Sequence, residues 1–88
     1  MKTDLTDKML RLRHLFGYSQ DYLAVQLDIT QSAYSQMECG KIELSLKKMQ
    51  KLADIYGIEK GDFLTKQTAQ LTELAVTSQQ FKRRFGVT

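Results

Sequence analysis

Ser19-Gln20-Asp21-Tyr22-Leu23-Ala24-Val25-Gln26-Leu27, then Asp28-Ile29-Thr30, then Gln31-Ser32-Ala33-Tyr34-Ser35-Gln36-Met37-Glu38-Cys39-Gly40, is the most informative run in the chain. Ser19 is a good N-cap residue, and Asp21 follows in the first turn, where a negative charge suits the helix dipole. Leu23, Ala24 and Leu27 recur at helical spacing and face inward. Asp28-Ile29-Thr30 breaks that pattern, and Thr30 can cap a second helix running from Gln31 to about Cys39. Its inward positions are Tyr34 and Met37, with Ala33 packed closely. Gly40 stops it. The spacing predicts two short helices joined by a tight turn.

Working outward, nearly every segment up to residue 64 repeats at helical period. Leu5, Met9, Leu12 and Leu15/Phe16 form one face of a helix over 4–16, capped by Thr3 or Asp4 and ended by Gly17 in the left-handed conformation. Beyond Gly40, Ser45 caps a fourth helix with Leu46, Met49, Leu52/Ala53 and Tyr56 on one stripe, ended by Gly57. Ile58, Phe63 and Leu64 mark a last short helix that closes the core. No period-two stretch is long enough for a strand. The expected fold is all-α, five helices in residues 1–64 followed by a helical tail in residues 65–88. In the tail, Leu71, Leu74/Ala75, Ser78, Phe81 and Phe85 follow a single helical stripe. A lone helix so poor in apolar mass is marginal in water and needs a surface or a partner.

Composition removes several functions. The single cysteine, Cys39, and the single histidine, His14, cannot form an internal disulfide or a Cys/His metal cluster, so no metal or other cofactor is expected. No nucleophile, base and oxyanion set can be assembled, so the chain is not expected to be an enzyme. No apolar run approaches the roughly 20 residues that span a bilayer. Met1-Lys2-Thr3-Asp4-Leu5 lacks the apolar core of a signal peptide. The expectation is a cytoplasmic protein with no membrane association. Charge is unevenly spread: residues 1–64 are neutral overall, and the net +3 lies entirely in the tail, with Lys66, Lys82, Arg83 and Arg84 against Glu73.

Two short helices joined by three or four residues form a helix-turn-helix arrangement. With Leu12-Arg13, Gly17-Tyr18-Ser19-Gln20, Leu23-Ala24, Leu27, Ile29-Thr30-Gln31-Ser32, Met37-Glu38, Gly40-Lys41, Ser45-Leu46, Leu52-Ala53, Gly57-Ile58 and Phe63-Leu64 in register, the chain resembles the lambda-repressor-like domain of the Cro and xenobiotic-response-element (XRE) family. The resemblance covers Met9 to about Leu64. It implies a repressor-like transcriptional regulator that binds double-stranded DNA in a sequence-specific way. Its second motif helix would lie in the major groove.

The outward residues at the start of that helix are then the base-contacting candidates: Gln31, Ser32, Ser35 and Gln36. A glutamine amide pairs a donor with an acceptor and matches adenine N6 and N7 together. Gln20, Thr30 and Lys41 match phosphate-contacting positions, and Arg13 with Glu38 matches a structural ion pair. A domain of this kind reads half a site. The expected assembly is therefore a homodimer on a pseudo-palindrome, with half-sites about 10 base pairs apart. Leu71, Leu74, Phe81 and Phe85 are the candidate dimer or partner contacts, while Lys82-Arg83-Arg84 offers an alternative use of the tail along phosphates. The rival reading is an antitoxin-like or adaptor module whose tail grips a protein partner.

Three positions depart from the family pattern. Asp28 stands where glycine is usual in a left-handed turn, Leu44 replaces a common proline and is expected to loosen a turn, and acidic Glu43 lies where a basic residue is frequent. Tyr34 and Met37 read as core filler, His14 as solvent-facing and Cys39 as a small half-buried residue. Leu10, Phe16, Tyr22 and Val25 form an expected apolar patch, fit to receive the tail helix or a second subunit.

Overall fold

The computed structural model describes residues 4–86, and these are all-helical. Helix α1 spans Asp4–Phe16, α2 Gln20–Gln26, α3 Gln31–Glu38, α4 Leu46–Tyr56 and α5 Lys60–Thr65. These are the five elements expected before residue 65. The tail differs from expectation: it forms two helices, α6 over Thr68–Val76 and α7 over Gln79–Phe85. The Thr3 cap lies outside the described residues. No helix among them is long and apolar enough to cross a membrane.

Caps written in the sequence set the boundaries. Ser19, Thr30 and Ser45 each accept a hydrogen bond from the backbone amide three residues on, at 3.0, 3.0 and 3.2 Å. The helix ends are equally uniform. After α1, α2, α3 and α4 the chain enters left-handed backbone at Gly17, Asp28, Gly40 and Gly57. The next amide then reaches back over the last turn, as when Tyr18 donates to the Arg13 carbonyl at 3.1 Å and Ile29 to the Ala24 carbonyl at 3.0 Å. Those bonds satisfy carbonyls that a helix end leaves without a partner. Asp28, with φ 57°, is the only non-glycine residue in this conformation among the described residues.

The helices converge on a core built from Met9, Leu12 and Phe16 of α1, Leu23 and Ala24 of α2, Tyr34 and Met37 of α3, and Met49, Leu52, Ala53 and Tyr56 of α4. Leu44 belongs to it as well. The residue expected to loosen a turn instead anchors the α3–α4 loop, because a leucine side chain is worth about 1.5–3 kcal/mol when taken from water.

The tail shares this core. Leu71 and Ala75 are fully buried, and α6 packs along α1, where the Thr68 hydroxyl donates to the Asp7 carboxylate at 3.0 Å. The helix then stops at Thr77. Ser78, expected on a helical stripe, is a cap and accepts from the Phe81 amide at 3.1 Å. Had α6 continued straight, Phe81 would stand about 15 Å beyond Leu71 along the axis. The turn instead brings its ring edge-on to Phe16, with centroids 5.3 Å apart. Gly57 makes that turn possible: a Cβ there would lie 2.7 Å from Ser78 Cβ.

Candidate nucleic-acid interface

Thr30 fixes where α3 begins, and with it which side chains head the helix. Gln31 and Ser32 are exposed, while Ser35 and Gln36 are half-buried one turn later. The Gln36 amide donates to the Ser32 hydroxyl at 3.2 Å, so these two polar groups are already coupled on the outer face. Tyr34 and Met37, on the opposite face, are buried. The helix thus divides into an apolar inner side and an outer side of amides and hydroxyls. Such a surface carries both donors and acceptors suited to base edges.

The angle of α3 is set from behind. Arg13 of α1 grips Glu38 near the end of α3 in a fork: Nε donates to one carboxylate oxygen at 2.8 Å and Nη2 to the other at 2.9 Å. A third guanidinium bond goes to the Tyr18 carbonyl at 3.1 Å, binding the α1–α2 turn to the same charge. Gln20, at the start of α2, donates from its amide to Glu38 at 3.2 Å. One glutamate therefore joins α1, α2 and α3. Two-point geometry of this kind resists rotation in a way a single hydrogen bond cannot.

Burial pushes the Glu38 carboxyl upward, but the bonds from Arg13 and Gln20, with the nearby Tyr34 hydroxyl, outweigh it and hold the group below its ordinary value. The hydroxyls of Tyr34 and Tyr56 are buried without a hydrogen-bond partner among the described residues. Burial first, and then neighbouring charge, raises both phenols. They remain neutral.

Thr30 and Lys41 are exposed, at the start of α3 and just beyond its end. Gln20 has one amide hydrogen committed to Glu38, which leaves its second for another acceptor. Glu43 is exposed in the same loop as Lys41. Cys39 is exposed rather than half-buried, because its side chain leaves the apolar face as α3 ends. His14 is exposed. The expected apolar patch separates: Phe16 is wholly buried beneath Phe81, whereas Tyr22 stacks on Tyr18 at 4.5 Å and Val25 is 67% exposed.

The four tail residues also separate. Leu71 points into the chain's own core and presents no surface, and Phe81 packs on Phe16. Leu74 and Phe85 remain open, at 41% and 47% exposure.

Two features escaped the sequence reading. Lys8 is buried, with its ammonium on the Phe63 carbonyl at 3.0 Å, the Leu64 carbonyl at 3.3 Å and the Asp4 carboxylate at 3.0 Å. Its spacing from Leu5 and Leu12 places it on the apolar face of α1, a signal that was available. Arg84, from the far end of the chain, donates to the Phe16 carbonyl at 3.1 Å. Nothing local in the sequence marks that contact.

The helix-turn-helix family model matches residues 8–63, from α1 into α5. The chain is also similar to the SPbeta prophage-derived uncharacterized HTH-type transcriptional regulator YonR of Bacillus subtilis (strain 168). The two are 40% identical over 62 residues, which is 70% of this chain and 56% of that protein, so the match spans just over half of the relative's length. No solved structure matches the chain. With α2 and α3 joined through the Asp28 turn and braced by Arg13 and Glu38, the chain belongs to the helix-turn-helix family of the Cro and XRE type.

Proposed function

We propose that this chain is a sequence-specific, double-stranded-DNA-binding transcriptional regulator of repressor-like action, with α3 in the major groove. The observation that supports it most is the outward, amide-bearing start of α3, held at a fixed angle by the Arg13–Glu38 fork. On this reading Gln31 addresses adenine N6 and N7, with Ser32, Ser35 and Gln36 reading neighbouring base edges. Gln20, Thr30 and Lys41 meet phosphates and set the register.

One domain addresses half a site, so the active form is a homodimer on a pseudo-palindrome. Of the tail residues, exposed Leu74 and Phe85 are those free to meet a second copy or a protein partner.

The test is selection from random double-stranded DNA at about 150 mM salt, which suppresses sequence-blind binding. An enriched palindrome is expected, and its spacing would report the dimer geometry. A second reading, an adaptor that binds protein, draws support from the zero net charge of residues 1–64 and from exposed Glu43. Selection without enrichment overturns the regulator and favours the adaptor.

A further inference from the structure

The excess positive charge of the chain lies beyond residue 64, and three of its cations form the last turn of α7, Lys82-Arg83-Arg84. Packing decides where they go. At its start, α7 rests on the end of α4: Ser78 lies against Gly57, and the Gln80 amide donates to the Asp54 carbonyl at 3.3 Å. At its far end it reaches the end of α1. There Arg84 donates from Nε to the Phe16 carbonyl at 3.1 Å, and its guanidinium carbon stands 4.9 Å from the centre of the Tyr18 ring. The helix therefore runs from the end of α4 toward the α1–α2 turn, basic end leading. Arg84, Tyr18, Ser19 and Tyr22 line one shallow depression there, at the turn that leads into α2.

We infer that α7 is a second phosphate-binding element, in which Lys82 and Arg83 contact the DNA backbone flanking the half-site addressed by α3. This rests on the DNA-binding reading above. Charge complementarity names the occupant. Residues 1–64 are neutral overall, so long-range attraction to a polyanion comes from the tail, and duplex DNA presents one negative charge per about 1.7 Å of axis.

The three cations divide the work. Arg84 is held by the Phe16 carbonyl and the Tyr18 ring and is a positioning residue. Arg83 is exposed and Lys82 half-buried, and neither is in an ion pair among the described residues. Their charges are free for an external anion. α7 thus converts a neutral helix-turn-helix domain into one with a charged flank.

The experiment compares the full chain with its Lys82→Gln/Arg83→Gln double variant on a sequence recovered by selection, across about 50–200 mM salt. Loss of two phosphate contacts is expected to flatten the slope of log K against log salt by about 1.8, with base preference unchanged. Ethylation interference should lose signals at phosphates outside the half-site. Arg83→Gln alone, at an exposed position, keeps the test open if the double variant folds poorly, and should flatten the slope by about 0.9. An unchanged slope and interference pattern overturns the inference. So does an altered sedimentation coefficient for the variant without DNA, which would assign the cluster to an interface between copies. Failure of the unaltered chain to enrich any sequence overturns the regulator reading itself, and this inference with it, before any substitution is made.

Discussion

The ammonium of Lys8 donates to the carbonyl of Phe63 at 3.0 Å across a separation of 55 residues, inside the protein. It also reaches the Leu64 carbonyl, so a side chain of α1 caps carbonyls that the end of α5 leaves without helical partners. A helix end buried without partners is costly, and a cation there also suits the dipole. Lys8→Met keeps the aliphatic volume but removes the donor, leaving buried carbonyls unsatisfied. The expected cost is about 1–3 kcal/mol in urea unfolding. A variant as stable as the parent would show that water replaces the ammonium there.

Glu38 makes stability depend on acid. Its carboxyl titrates below the ordinary range in the folded chain, so the folded state binds its proton less readily than the unfolded state. The stabilisation is present above the unfolded value, about 4.3, and is lost as pH falls through the lower folded value. Glu38→Gln should remove this contribution, flattening the acid limb of the stability curve. At neutral pH it should cost about 3 kcal/mol, because Arg13 is left largely buried beside an uncharged amide. Equal acid sensitivity in both proteins would place the titrating group elsewhere.

Asp28 occupies left-handed backbone with φ 57°, a conformation that costs most residues about 1–2 kcal/mol and glycine almost nothing. Asp28→Gly should raise stability by up to about 1 kcal/mol, since the added freedom of glycine in the unfolded chain offsets part of the gain. Thermal unfolding checks the sign. A lower midpoint would mean that the Asp28 carboxylate interacts favourably with Lys47, Lys48 and Lys51, which line the same surface depression.

Phe81 holds α7 against Phe16. As the ring is only partly buried, Phe81→Ala should cost about 1–3 kcal/mol, below the range for a fully enclosed phenylalanine. Hydrogen exchange should quicken first at the amides of α7 while α2 and α3 stay protected. Uniform loss of protection would show that the tail is needed for the whole core.

Gln31→Ala addresses the proposed readout. On the preferred DNA sequence it should cost about 1–3 kcal/mol of binding and relax choice at a single position. Equal weakening on every sequence would make Gln31 a backbone contact.

Leu23, Leu27, Tyr34 and Met37, with Ser19 and Thr30 as caps, made the central helix pair legible in the sequence. Helical period and capping are local properties: each depends on residues three or four positions apart, and no distant contact is needed to read them. The outer position of Gln31 and Ser32 follows from the same period. The tail was legible only as helix-forming. Its apolar stripe continues through Ser78, and nothing nearby tells a polar stripe residue from an N-cap. The choice falls to Phe16 and Gly57, far away in the chain, which offer Phe81 a ring and Ser78 a space without a Cβ.

Lys8 and Arg84 followed the same rule. A cation is held against the fold when carbonyls from another helix await it, buried in the case of Lys8 and at the surface in that of Arg84, and which carbonyls those are depends on packing. Local pattern along the chain sets the first five helices, the caps at Ser19, Thr30 and Ser45, and the polar face of α3. It takes packing to turn Leu71 inward, to tie three helices to Glu38, and to bring the basic end of α7 to the α1–α2 turn. Those outcomes arise from burial and charge pairing between segments tens of residues apart, and such energies exist only once the segments meet.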